Sequence, residues 1–393
     1  MTPTLTSPGV FREHVFVKPA AALPTGVPGF VGVASGVGSA PIAPNVPVPI
    51  HRKDELAAQF AALQVGPPLR SSYLQDAVNG FFANGGDTCF VVRVDPSTLD
   101  EASLIAGIEA LGPVDDLDLV AVPDAFLLLP DDAAVRRVQR AALAHCRRNR
   151  NRFAILDAPS GVDPTQSATA AATTLRAWRD DVLVGESDPS YGALYYPWIK
   201  NTAGRLIPPA GHVAGIYART DDDTGVFRSP ANQEIFDAFD LEFPIDAVSQ
   251  GELNPDSIDC LRAFPGRGLR VYGARTLSPD PSWRYISVRR LFITVGRWID
   301  RNMIFAAFEP NAPRLWIRIQ RELRVYLDRL WRSGALKGDV AADAFFVKCD
   351  GETNPPEERE LGQVTTLIGL APAVPAEFII VRIVHRLGRG EQT

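Results

Sequence analysis

Between about residues 25 and 275 the chain alternates short apolar, β-branched runs with longer amphipathic stretches, and this alternation constrains its fold more than any other feature. "FVGVAS" is a strand-like run, and "KDELAAQFAAL" follows as a predicted helix. "YLQDAVNGFFANGG" has helical spacing at Leu74, Val78, Phe81 and Phe82, ends in a glycine pair and gives way to the strand "TCFVVRV". The exchange recurs in "LDLVAVPD" before "AAVRRVQRAALAHCRRN" and in "RFAILDAP" before "TQSATAAATTLRAWRDDV". It recurs again in "GALYYPWI" before "AGHVAGIYART". Strands separated by helices of this length predict a layered α/β domain with a largely parallel sheet.

Beyond residue 275 the order changes. "YISVRRLFITVGRWIDRNM" and "APRLWIRIQRELRVYLDRLWRSG" are two long helices, followed by the strands "AFFVKC", "VTTLIGLAP" and "EFIIVRIVHRL". Helices followed by strands predict a separate α+β unit. In the second helix Leu315, Ile319, Leu323, Tyr326, Leu330 and Trp331 recur at three- and four-residue spacing and mark the buried stripe. Arg314, Arg318, Arg321 and Arg332 stand off it, as a solvated basic face or as a docking surface for an acidic partner.

Two strands lack a local mate. "PGVFREHVFVKP" is fenced by Pro8-Gly9 and Pro19 without a neighbouring hairpin partner, and "EFIIVRIVHRL" is followed only by a polar stub. Eleven residues of strand reach about 35 Å and leave a long row of backbone donors and acceptors to satisfy. These segments pair with each other or with other molecules.

Composition excludes several classes. With 46% hydrophobic and 22% charged residues over 393 positions the chain is ordinary globular material, long enough for two or three domains. No stretch approaches the ~20 apolar residues of a membrane span, and the start lacks the basic-then-apolar order of a signal peptide, so folding in a cytoplasm is expected. The net charge of -6 argues against nucleic-acid binding by bulk attraction. Cys89, Cys146, Cys260 and Cys349 are widely spaced without a Cys-x-x-Cys pair, and are expected as buried free thiols.

Catalytic patterns are weak. "GVASGVG" offers Gly32, Gly36 and Gly38, but lacks the Gly-Lys-Ser/Thr ending of a phosphate loop and is expected as a strand-to-loop turn. "DDDTGVFRSPANQE" imitates a calcium loop through Asp221 and Asp223, yet its Gly225 stands at position five and Asn232 at position twelve. His14, His51, His145, His212 and His385 form no metal-ligand spacing; His212, opening a helix near Arg219 and Asp221, reads as a capping or packing histidine before a catalytic base. Ser35, His212 and Asp157 supply the residue types of a triad without its sequence context. No cofactor, metal or catalytic residue is expected, with a hydrolase-like α/β enzyme kept as the alternative.

The runs "GALYYPWI … IPPAGHVAGIYARTDDDTGVFRSPAN", "LNPDSIDCLRAFPGRGLRVYGARTLSPDPSWRYISVRRLF" and "FEPNAPRLWIRIQRELRVYLDRLWRSGALKG" closely resemble the tail sheath proteins of contractile phage tails and related extracellular injection systems. The opening "SPGVFREHV … PTGVPGFVGVAS" and the later "AFFVKCDGETNPPEERELGQVTTLIGLAPAVPAEFIIVRI" extend the resemblance over nearly the whole chain. It implies a subtilisin-like layered α/β domain without a catalytic triad, then a C-terminal α+β domain, with strand-exchanging arms at both ends. The implied layout is an arm at 1–22, the α/β domain at 23–275, the tube-facing domain at 276–375 and a second arm at 376–393.

It further implies a structural subunit that polymerises around an inner tube and contracts to drive the tube through a target envelope. Strands at 9–18 and 377–387 would complete sheets in other subunits through Val10, Phe11, Val15, Val17, Phe378, Ile380, Val381 and Ile383. Arg314, Arg318, Arg321 and Arg332 would contact the tube. The implied partners are the chain itself in stacked, hexameric rings, the inner tube protein, and the baseplate and tail terminator or cap proteins. Neither nucleic acid nor direct membrane insertion is implied. Assembly in a bacterial cytoplasm is expected, with function in a phage tail or a phage tail-like particle that can be released.

Overall fold

The computed structural model describes residues 23–37, 42–62, 64–65, 70–95, 97–129 and 131–377. Along the chain, β1 (Pro28–Gly36) and β2 (Val48–Ile50) precede α1 (Lys53–Gln59) and β3 (Phe60–Ala62). A small ribbon of β4 (Gln64–Val65) and β5 (Arg70–Ser71) leads to α2 (Leu74–Ala83), β6 (Cys89–Val94), α3 (Glu101–Ala110) and β7 (Leu119–Ala121). Next come α4 (Ala125–Leu128), α5 (Asp132–Asn149), β8 (Phe153–Asp157), α6 (Ala168–Val182) and β9 (Gly192–Tyr196). β10 (Ile199–Asn201) and β11 (Leu206–Ile207) precede α7 (Ala210–Asp223), β12 (Gln233–Glu234) and β13 (Ala238–Leu241). α8 (Ala247–Leu253) and the hairpin β14 (Ile258–Phe264) and β15 (Gly268–Val271) complete the α/β unit.

Six strands, in the order β14-β9-β8-β7-β1-β6, run parallel through the centre of one sheet. Antiparallel strands close its two sides, β2 against β6 and β15 with β12 against β14, while β3 pairs with β1. All five residues of β8 and all five of β9 are buried, as strands covered on both faces must be. Phe30 and Phe153 meet Phe81 of α2 and Tyr217 of α7 on one face. Val31 and Gly192 lie against Gly107 of α3 and Leu143 of α5 on the other. α3, α5 and α6 start where the sequence offers a cap: Asp100, Asp131 and Ser167 accept from the amides of Ser103, Ala134 and Ala170.

Two local expectations fail. The helix in "KDELAAQFAAL" stops at Gln59, because Phe60, Ala61 and Ala62 find strand partners in Gly36, Ser35 and Ala34 of β1. Gly32 and Gly36 lie inside β1 instead of a turn; Gly38 is outside the described residues. The four cysteines are free and buried, as expected.

A second unit follows. α9 (Ile286–Asn302) and α10 (Pro313–Arg332) are joined through the short α11 (Ala341–Ala344) to β16 (Phe345–Lys348), then α12 (Pro356–Glu360) and β17 (Leu367–Leu370), which pairs antiparallel with β16. α10 buries Leu315, Ile319, Leu323 and Leu327 against Val347, Ile368 and Leu370, and Trp316 is buried as well. Tyr326, Leu330 and Trp331, expected in the stripe, flank it half-buried. Tyr326 stacks on Trp298 of α9 with ring centroids 4.0 Å apart.

α9 belongs to both units. At 3.6 residues per turn, Ile286, Arg290, Ile293 and Arg297 share one face, and Leu291, Val295, Trp298 and Ile299 the other. Ile286 and Ile293 enter the α/β core, while Leu291 and Val295 enter the core of the second unit. The Arg290 guanidinium donates to Asp221 Oδ1 at 2.7 Å and Oδ2 at 2.5 Å, and to Asp118 Oδ2 at 3.0 Å. Asp118 also accepts from the amides of Gly26 and Val27, so the start of β1 is tied to the same group. Burial disfavours the Arg290 cation, but Asp221 and Asp118 outweigh it and hold its pKa up. Removing one partner of such a buried set leaves the others uncompensated, which costs about 3–5 kcal/mol. Arg290→Met is therefore expected to destabilise the unassembled subunit by that order in urea unfolding. Arg301→Ala, which removes an exposed pair with Asp116 at 3.6 Å, should change it by less than about 1 kcal/mol.

Candidate functional site

The residue types of a triad are present but serve the fold. Ser35 is a strand residue paired with Ala61. Asp157 Oδ1 accepts from the amide of Ala210 at 2.8 Å, capping the start of α7. His212 is buried with its ring where a side chain at position 80 would stand, which is why Gly80 occupies that place in α2. Burial brings the His212 pKa down to about 4 against the pull of Asp237, so the ring is neutral at ordinary pH. Asp221 of the calcium-like run is engaged by Arg290. Among the described residues no group of His, Cys, Asp and Glu is arranged to hold a metal.

One open strand edge lies on the second unit. β16 and β17 form a two-stranded sheet, and β16 has no strand on its other side among the described residues. Two strands alone are marginal in water, and an open edge invites another strand. Beside that edge runs a groove of about 650 Å³, walled by Arg324, Val325, Asp328 and Arg329 of α10 and by Phe345, Phe346 and Val347. Val325 and Phe346 are 48% and 58% exposed in it. Phe346 lies across Gly369, where any Cβ would stand 2.0 Å from its ring; the glycine lets the aromatic lie flat on the sheet. On the edge itself, Arg324 Nη2 donates to the Val347 carbonyl at 3.3 Å and Gln320 Nε2 to the Cys349 carbonyl at 2.5 Å.

Next to the groove, the structure brings Arg314, Arg318, Arg321 and Arg332 onto one exposed face of α10. Offsets of four, seven and eighteen residues all fall within about 40° on a helix. Arg318 stacks over the Phe305 ring at 3.9 Å, Arg321 meets Glu322 at 3.0 Å and Arg332 meets Asp328 at 2.7 Å. The groove-wall residues Arg324 and Arg329 were not singled out from the sequence; their places between the stripe and the basic face were the available signal. Val10, Phe11, Val15, Val17, Phe378, Ile380, Val381 and Ile383 lie outside the described residues.

The buried carboxyl of Asp157 makes its purely structural role testable. Burial pushes its pKa up to about 8, far above the roughly 3.9 of an unfolded chain. The folded state then binds the extra proton, so stability falls as pH rises between those two values and is lowest above the upper one. Asp157→Asn keeps an oxygen for the Ala210 amide and removes the titration. It should raise stability at pH 9 by more than about 1 kcal/mol, the worth of roughly one pKa unit, and have little effect near pH 4, both read by urea unfolding. A loss at pH 9 would show that the ionised carboxylate is required.

Residues 98–277 match the phage tail sheath protein central domain and residues 278–386 the phage tail sheath C-terminal domain. A putative prophage major tail sheath protein of Pseudomonas aeruginosa strain UCBPP-PA14 is 26% identical, over 85% of this chain and 84% of that protein. A chain in the cryo-EM structure of the anti-feeding prophage baseplate, 6-fold symmetrised, is 29% identical, with a TM-score of 0.78 over 98% of this chain and 100% of that one. The anti-feeding prophage helical sheath in the contracted state is 30% identical, with a TM-score of 0.74 over 97% and 99%. Two adjoining family matches and a mixed α/β fold shared with sheath structures lead to one assignment: the chain belongs to the phage tail sheath family, and is a structural subunit of a contractile sheath, not an enzyme.

Proposed function

We propose that the chain forms stacked hexameric rings around an inner tube, and that contraction of this sheath drives the tube through a target envelope. The observation that carries this reading is the open edge of β16 beside its groove: a sheet left incomplete in the subunit is completed by a strand from another copy. Strands at 9–18 and 377–387, through Val10, Phe11, Val15, Val17, Phe378, Ile380, Val381 and Ile383, are the proposed donors. Residues 23–275 act as a subtilisin-like α/β domain that slides between packings, while residues 276–375 face the tube. The 6-fold baseplate of the anti-feeding prophage supports hexameric rings seated on a baseplate; a terminator or cap closes the far end. Assembly takes place in the bacterial cytoplasm, and the sheath works in a phage tail or a released tail-like particle.

Exchanged strands permit motion without dissociation. Their ladders persist while the α/β domains repack, and contraction is driven by surface buried only in the final state, summed over many copies. Arg314, Arg318, Arg321 and Arg332 hold the extended sheath to an acidic tube surface. Exposed pairs contribute about 0–1 kcal/mol each, so one subunit lets go easily while a ring holds.

Deleting residues 1–18 is expected to leave a folded, soluble subunit that forms no cylinders in negative-stain electron microscopy; ordinary cylinders from this variant would end the strand-exchange account. Arg318→Glu with Arg321→Glu should block extended sheath around added tubes, yet still allow contracted-like cylinders without tubes. Normal extended particles from the double variant would show that this face is only solvated.

A further inference from the structure

Beyond β17 the chain leaves the second unit and returns to the α/β unit. Lys337 N donates to the Ala371 carbonyl, Ala371 N to the Ala344 carbonyl and Ala373 N to the Ala335 carbonyl, at 2.8, 2.9 and 3.0 Å. Val374 then stands exposed, and three residues later Glu377 enters a socket on the other unit. Arg275 grips its carboxylate with two parallel bonds, Nε to Oε1 at 2.8 Å and Nη2 to Oε2 at 2.6 Å. Asn254 Nδ2 adds a bond to Oε1 at 3.0 Å, and the Tyr285 hydroxyl one to Oε2 at 3.4 Å.

The socket is braced from the α/β unit. Arg275 Nη1 donates to the Asn254 carbonyl at 2.8 Å, and its backbone amide donates to Asp259 at 2.9 Å. Asp259 is fully buried in β14, the outermost of the six parallel strands. The Arg275 and Glu377 side chains are only 11% and 22% exposed, so this fork-to-fork pair is shielded in a way surface pairs are not. Burial opposes the Glu377 charge, but the Arg275 bonds outweigh it and hold the carboxyl below its ordinary range.

We propose that Glu377 is the mooring of residues 378–393: its carboxylate, locked by Arg275, Asn254 and Tyr285, directs a pull on that segment into the α/β sheet instead of peeling β17 from β16. The proposal rests on the reading that a neighbouring copy binds this segment. Without the mooring, a pull would act on residues 371–373 and then on a sheet of only two strands. With it, the pull reaches Asp259 and the central sheet through Arg275.

The test compares Glu377→Gln with a deletion of residues 378–393 in the full chain. In unassembled Glu377→Gln subunit, amide hydrogen exchange at residues 367–373 should match the unaltered protein, although the melting temperature falls with the loss of the Arg275 pair. In cylinders, where the segment is engaged, exchange at 367–373 should rise about tenfold, the factor that one charge-assisted hydrogen bond is worth. Unchanged exchange in cylinders overturns the mooring, and so does exchange raised equally in both states, which marks a merely structural bond. Normal cylinders from the deletion overturn instead the strand-exchange reading, whatever the result at position 377.

Discussion

Taken out of water alone, the Arg290 guanidinium would cost several kcal/mol, and so would the Asp118 and Asp221 carboxylates that receive it. Together they form a buried group in which each charge needs the others. The relative placement of the two units depends on this group, because its members come from three places. Arg290 stands on α9, Asp221 near the end of α7, and Asp118 just ahead of β7, where it also holds the amides of Gly26 and Val27. Apolar packing fixes how much surface is covered but is lenient about direction. The forked guanidinium has a fixed geometry and sets α9 at one rotation on the sheet.

Two more arginines of α9 repeat the device. Arg297 donates to the backbone carbonyls of Pro24, Asp115 and Asp116, and Arg289 stacks between Trp283 and Tyr191 while pairing with Asp188. With these in place, the opposite face of α9 presents Leu291, Val295 and Ile299 as the floor of the second unit. α10 and the β16–β17 pair are therefore oriented, through α9, by charges buried in the α/β unit. The open edge of β16 and the basic face of α10 inherit their directions from the same source.

Much of this was legible in the sequence where one physical signal dominated. Strands buried on both faces read as continuous apolar runs, so "RFAILDAP" and "GALYYPWI" gave β8 and β9, and the stripe of α10 announced itself through Leu315, Ile319 and Leu323. Signals failed where tertiary partners overrode local preference. Phe60, Ala61 and Ala62 have a helical local context and become a strand because β1 offers them an edge. α3 carries Leu104 and Ile108, with Leu111 at its C-cap, at i, i+4 and i+7, but alanines on the remaining faces dilute that stripe, and Gly107 in its middle reads as a breaker although it lies against Val31. Trp316 and Leu327 are also buried on α10 and stand three or four residues from Ile319 and Leu323, so the same spacing carries them, although the expected stripe runs through Tyr326 and Leu330 instead. Arginine was the least legible type: Arg290 and Arg318 look alike in sequence, yet one is buried between carboxylates and the other is exposed over Phe305. The Arg275–Glu377 bond spans 102 residues, and no local pattern could have joined them.

The contrast between those arginines has a mechanical consequence. Bonds inside the subunit are buried, mutually dependent and worth several kcal/mol together, so a rearrangement of the assembly leaves them intact. Contacts offered on the outside are of another kind: the exposed basic face of α10 offers pairs that contribute about 0–1 kcal/mol each. Weak contacts repeated over a ring hold by number and release in sequence when the first ones are lost. A subunit built this way can change its neighbours without changing itself. That separation of strong internal from weak external bonding is what a sheath that passes between two packings as one object requires, and in this chain it is achieved largely by where arginine is buried and where it is exposed.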